Sequence, residues 1–207
     1  LSVADLWRDE LKGRVVVLSE MRDTLGVMML SQGVDITKFT ADEFNAALAE
    51  VEMRVADGYI RNIKGNSYSE DLVSEDALAG IVWSGDITLL NLEAGYEKWK
   101  FVLPDSGATF WNDTFMIPIG SPRKTNAEKL INWYYDPAIA AQVAAWVNYV
   151  TPVQGAYEEA IKIDPALAEN QFIFPNDETL SKVHIFRSLS DAEENEFQAA
   201  FQAILLG

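Results

Sequence analysis

The chain has 207 residues, about half of them apolar, enough to bury one large core or two small ones. Its 32 acidic residues against 16 Lys and Arg give a net charge of −16, which argues against nucleic acid as a partner, because affinity for phosphates comes from basic side chains. Cys is absent and His184 is the single histidine, so disulfides, thiolate chemistry, multi-histidine metal sites and a conventional catalytic triad are excluded.

The acidic balance suits a cationic ligand as well as plain solubility. No apolar run reaches the roughly 18 residues a membrane span needs. The chain begins at Leu1 and not at Met, and reads as a mature or trimmed polypeptide whose targeting segment has been removed.

"SVADLW" (2–7) predicts a short helix opening, with Ser2 at the N-cap and Asp5 three residues on. "GRVVVLS" (13–19) predicts a buried strand of β-branched residues after a glycine turn. "RDTLGVMMLSQG" (22–33) places apolar residues at 25, 28 and 29 before a glycine stop and reads as a helix. Residues 40–56, "TADEFNAALAEVEMRVA", repeat apolar side chains at 44, 48, 51 and 55, one face of a helix, and Thr40 with Glu43 supplies a capping box.

"YIRNI" (59–63) predicts a strand and "SYSEDLVSED" (67–76) a short helix. "ALAGIVW" (77–83) predicts a strand buried on both faces, followed by a helix over "SGDITLLNLEAG" (84–95). Strands are expected at 99–104 and 108–118. Two helices broken at Pro137 are expected over 126–150, a helical turn at 152–161, and closing helices at 177–189 and 192–206. Alternating strands and helices in the first half predict an α/β fold with a mainly parallel sheet, while the second half is helix-rich.

In such sheets ligands collect beyond the carboxyl ends of the strands. Glu20 and Asp23 follow the first strand, Trp83 and Asp86 flank a later strand end, and Trp111 and Asp113 stand two apart in "TFWND", on one side of an extended chain. Each has an ordinary alternative. Asp86 suits a helix N-cap. Glu20 and Asp23 suit the first turn of a helix. The two indoles suit a core, and Asp113 suits an ion pair with Arg22 or another base. One functional reading covers all of them. Indole faces attract cations and cover methylenes, and carboxylates accept charge-assisted hydrogen bonds from ammonium groups. The ligand so described is a diamine or polyamine.

The segments "SVADLWRDELKGRVVVLSEMRD", "NSYSEDLVSEDALAGIVWSGD", "GATFWNDTFMIPIGSPRKTNAEKLINWYYDPAIAAQVAAWVNYVTP" and "FPNDETL" resemble, in order and over nearly the whole chain, the spermidine/putrescine-binding proteins of bacterial ABC importers. The resemblance implies a periplasmic-binding-protein-like type II lobe, with a mainly parallel mixed sheet flanked by helices. Residues 1–113 and 172–207 then form the second, C-terminal lobe. Residues 114–171 are the returning part of a first lobe whose N-terminal half is absent.

It further implies a polyamine ligand held in an interlobe cleft by Glu20, Asp23, Ser67, Trp83, Asp86, Trp111, Asp113 and Tyr149. No catalytic residue, metal or cofactor is implied. The implied partners are membrane permease subunits, and the implied location is periplasmic or extracellular, free or as a lipoprotein. The chain departs from the family pattern in three places. Asn148–Tyr149 replaces the family's Gly–Tyr, "SEMRD" replaces two adjacent acids, and no counterpart is found near Phe186 for a glutamine of some members. The competing readings are a binding protein for another solute, such as a sugar or iron, and a two-carboxylate glycoside-acting enzyme.

Overall fold

The computed structural model describes residues 1–206. Val15–Leu18 forms β1, and all four of its side chains are buried, as a β-branched run in a covered parallel sheet requires. Burying each such side chain is worth about 1.5–3 kcal/mol, so this segment anchors the core. It lies between β2 (Ile60–Lys64) and β3 (Ala79–Gly80), parallel to both, in the order β2-β1-β3.

Helix α1 (Met21–Ser31) follows β1 directly and is buried on almost every side. It packs against β1 and against α2 (Ala41–Ala56). The predicted capping box opens α2: the Thr40 side chain accepts from Glu43 N, and Glu43 accepts from Thr40 N at 2.7 Å. α3 (Tyr68–Val73) and α4 (Ser84–Ala94) complete the layer around the sheet. Phe44 stacks on Phe197 at 3.9 Å, which ties α2 to α10 (Asp191–Leu206) near the end of the chain.

A second, separate core lies in the later helices. α5 (Lys124–Tyr134) buries no residue. α6 (Pro137–Val147) starts at Pro137, with Asp136 accepting from Ala138 N and Ile139 N, so the proline ends α5 and opens α6. Ala140, Ala141, Ala156, Ala160 and Ala168 pack together from α6, α7 (Ala156–Ile163) and α8 (Pro165–Glu169). The face around this small core is bare: Trp146 is 83% exposed and Leu130 64%.

Four expected elements come out differently. The strand expected over 77–83 pairs only at Ala79–Gly80. The strand expected at 99–104 does not form, because the Asn91 side chain takes the backbone instead: it accepts from Lys98 N and Trp99 N and donates to Trp99 O at 2.7 Å. The strand expected at 108–118 shrinks to β4 (Ala108–Thr109), whose last ladder bond is Phe110 N to His184 O; beyond it no strand lies alongside, and residues 111–116 are exposed. The helix expected over 177–189 is a short α9 (Asp177–Leu180) followed by β5 (Val183–His184), because the carbonyls of Lys182 and His184 accept from β4.

Candidate ligand-binding site

The carboxyl ends of β1, β2 and β3 run into Glu20, Gly65 and Trp83, so the sheet delivers three chain turns to one edge. Asp23 stands in the first turn of α1 and is only 9% exposed. Its Oδ2 accepts from Trp83 Nε1 at 3.1 Å, and its Oδ1 accepts from Thr109 Oγ1 at 3.4 Å. Thr109 reaches it because Gly26 lets β4 lie against α1; a Cβ on Gly26 would sit 2.5 Å from Thr109 Cγ2. Burial raises the Asp23 carboxyl above the ordinary aspartate range. The Trp83 hydrogen bond opposes this, and the nearby Glu20 charge adds to it.

Asp23, Thr109, Phe110, Trp111, Asn112 and Phe186 line a cavity of about 150 Å³. Arg22 also borders it. Its guanidinium is committed to Glu194, with Nη1 to Oε1 at 3.0 Å and a second bond from Nη2, and it lies over the Phe186 ring.

Trp111 is 44% exposed, with its ring centroid 6.1 Å from that of Tyr149. Tyr149 OH donates to Asp86 Oδ1 at 3.0 Å, and Tyr68 OH donates to Asp86 Oδ2 at 2.7 Å. Trp83 N–H donates to Tyr68 OH at 3.1 Å. Burial, with the Asp86 carboxylate next to them, pushes both phenols well above the ordinary tyrosine range, so both remain hydrogen-bond donors. Tyr149 points back toward α4 because Asn148 ends α6 in the left-handed region, at φ 59°. Asn is the residue after Gly that best tolerates this conformation, so Asn148 supplies the turn where the family pattern has Gly.

Asp23, Trp83, Asp86, Trp111 and Tyr149 are thus joined in one network. Glu20 and Ser67 are not part of it. Glu20 is exposed, accepts from Ser19 Oγ at 3.2 Å, and faces Gly65. Ser67 is exposed at the N-cap of α3 and makes no side-chain capping bond. Asp113 is exposed in irregular chain, and among the described residues Arg22 pairs with Glu194 and not with it. The strand expected over 108–118 therefore does not reach Asp113.

Asp86 is not an N-cap, since Trp83 occupies that position of α4. Tyr68 and Thr109 were missed from sequence. Tyr68 had a usable signal: a tyrosine at the buried start of a short helix needs a partner for its hydroxyl. Thr109 had none, because its role depends on the approach of β4 to Gly26.

A parallel-sheet lobe with aromatic and acidic groups at its strand ends is an arrangement in which small ligands bind. The family described as bacterial extracellular solute-binding protein matches residues 1–169, and the chain belongs to it. The spermidine/putrescine-binding periplasmic protein of Salmonella typhimurium is 28% identical over 193 residues, which cover 92% of this chain and 53% of that protein. A solved structure described as a putative spermidine/putrescine ABC transporter from Listeria monocytogenes superposes with a TM-score of 0.85 at 21% identity, covering 98% of this chain and 61% of that one. The spermidine/putrescine ABC transporter substrate-binding protein PotD of Streptococcus pneumoniae gives 0.77 at 20% identity, covering 99% and 61%. The chain thus has the fold of these binding proteins and spans about half the length of the curated relatives it matches.

Proposed function

We propose that this chain is part of the extracytoplasmic solute-binding component of an ABC importer, and that its cargo is a polyamine such as spermidine or putrescine. The observation that carries the reading is the cavity wall where Asp23, a buried carboxylate, meets the half-exposed Trp111. A carboxylate in an aromatic wall suits an ammonium group on an alkyl chain: the charge finds an acceptor, and the methylenes find a ring face.

Trp83 and Tyr149 extend that wall, and Asp86 holds Tyr149. Glu20, Ser67 and Asp113 are exposed, and in this reading they meet the far end of a longer amine. Residues 1–113 and 172–207 form the second lobe in this reading. Residues 114–171 form the returning part of the first, which the separate alanine-rich core and the bare apolar face of α5 and α6 support. The protein binds without catalysing, works outside the cytoplasm either free in the periplasm or as a lipoprotein, and hands its cargo to membrane permease subunits.

The test is calorimetric titration of the polypeptide the gene encodes with spermidine, putrescine, a neutral sugar and Fe³⁺. Heat from either amine, with none from sugar or iron, is expected. Binding of sugar or iron alone overturns the reading.

A further inference from the structure

The two carboxylate oxygens of Asp86 are each taken by a phenol, Oδ2 by Tyr68 and Oδ1 by Tyr149. Tyr68 is fully buried in the large core. Tyr149 comes from the connection between α6 and α7, on the side of the small core. Among the described residues, the Asp86–Tyr149 bond is the one side-chain hydrogen bond or ion pair that joins residues 1–113 to residues 114–169. The ring beyond the hydroxyl is equally constrained. It lies against Gly85, where an added Cβ would stand 2.4 Å from Tyr149 Cε2 and 2.6 Å from Cζ. Trp111 flanks the same ring.

We propose that Asp86 is a positioning residue: it fixes Tyr149 across the gap between the two cores, with Tyr68 aiming the carboxylate and Gly85 seating the ring. Three consequences of the geometry support this. A carboxylate only accepts hydrogen bonds, so two phenol donors set its plane. Tyr68 also accepts from Trp83 N–H, so the same chain of bonds that places Tyr149 places the backbone of Trp83. The aromatic wall of Trp83, Trp111 and Tyr149 is therefore assembled before a ligand arrives, which lowers the ordering cost of binding. Asp86 acts on the ligand through Tyr149 and Trp83, while Asp23 lines the cavity itself.

The effect on ligand affinity rests on the polyamine reading above; the link between the residues does not. The experiment reads both, using Asp86→Ala, which leaves no acceptor for either phenol, Tyr149→Phe and the double variant in the polypeptide the gene encodes. Thermal melting without ligand is expected to show each single variant destabilised and the double variant melting no lower than the weaker single one, the signature of one shared interaction. Spermidine affinity is expected to drop about tenfold in Asp86→Ala, the scale of losing a charge-assisted hydrogen bond, and not to drop further in the double variant than in the weaker-binding single variant.

Gly85→Ala keeps every hydroxyl and the charge, and Ala favours the helix, so any loss comes from displacing the ring. It is expected to weaken spermidine binding as Tyr149→Phe does. Additive melting losses in the double variant, or a Gly85→Ala protein that binds spermidine like the parent, overturn the proposal. If the parent binds no polyamine, the polyamine reading fails while the melting comparison still decides whether Asp86 holds Tyr149.

Discussion

Replacing Asp23 by Asn is expected to raise stability and lower ligand affinity together. Burial holds the Asp23 carboxyl above the ordinary aspartate range, so the folded protein prefers the neutral form. The sign follows from linkage. A group whose folded value is raised contributes stability fully below its unfolded value, and that contribution is lost as pH rises through the folded value. At neutral pH the parent therefore bears the cost of a desolvated charge, and Asn removes it.

Relieving such a penalty is worth about 1–3 kcal/mol, while weakening the bond from Trp83 Nε1 from charged to neutral gives back about 1 kcal/mol. The net gain is about 1 kcal/mol, or roughly 3 °C in Tm for a protein of this size. Asn retains an acceptor for Trp83, so the site keeps its shape. Spermidine affinity should fall about ten- to hundredfold, the worth of one hydrogen bond to a charged group. The assay is melting of parent and variant from pH 7 down through the carboxylate range, with calorimetric titration at pH 7. The difference in Tm should be largest at neutral pH and close as Asp23 takes up its proton. An Asn variant that melts below the parent at pH 7 would refute the claim that the charge is disfavoured there.

Three further outcomes are expected. Thr40→Ala removes one half of the capping box on α2 and should cost about 1 kcal/mol, measured by urea unfolding, with the slope of the transition unchanged. The Glu193 carboxyl is held down to about 2 by hydrogen bonds from Arg187 first and from Ser190 next. Its contribution is present above the ordinary glutamate range and lost as pH falls through about 2; NMR titration should find it there, and Arg187→Gln should return it toward the ordinary range. Polyamine affinity should weaken steadily as salt rises from about 0.01 to 0.15 M, where the screening length shrinks from roughly 30 to 8 Å, because Glu20 and Asp113 are exposed; a salt-independent titration would remove them from the binding surface.

Elements that announce themselves locally were legible in the sequence. The capping box at Thr40, the buried run at 15–18 and the proline break at 137 all depend on neighbours along the chain, and all form where expected. The segments at 99–104 and 108–118 misled because β-branched and aromatic content marks a chain able to pair, while pairing itself needs a partner edge. Asn91 claimed the first segment's backbone, and the second ran out of partner after His184. In the proposed site, Trp83, Asp86, Trp111 and Tyr149 were visible as residue types. The connection of Trp83, Asp86 and Tyr149 through Tyr68 was not, since it joins three separate chain segments.

The acids of the proposed site differ in what the fold has left them free to do. Asp86 has both oxygens engaged by phenols, so its charge serves the architecture first. Asp23 is buried and held by two weaker arrangements, an indole N–H and a threonine hydroxyl at 3.4 Å, and it faces a cavity. It is the carboxylate with most to gain from a cation, because an ammonium group relieves the desolvation that the protein alone leaves uncompensated. Glu20 and Asp113 are solvated already, so a cation there exchanges one hydrated partner for another and gains little. Affinity in this site should therefore concentrate at the buried carboxylate beside Trp83 and Trp111, with the exposed acids adding attraction at a distance and tolerance for amines of different length.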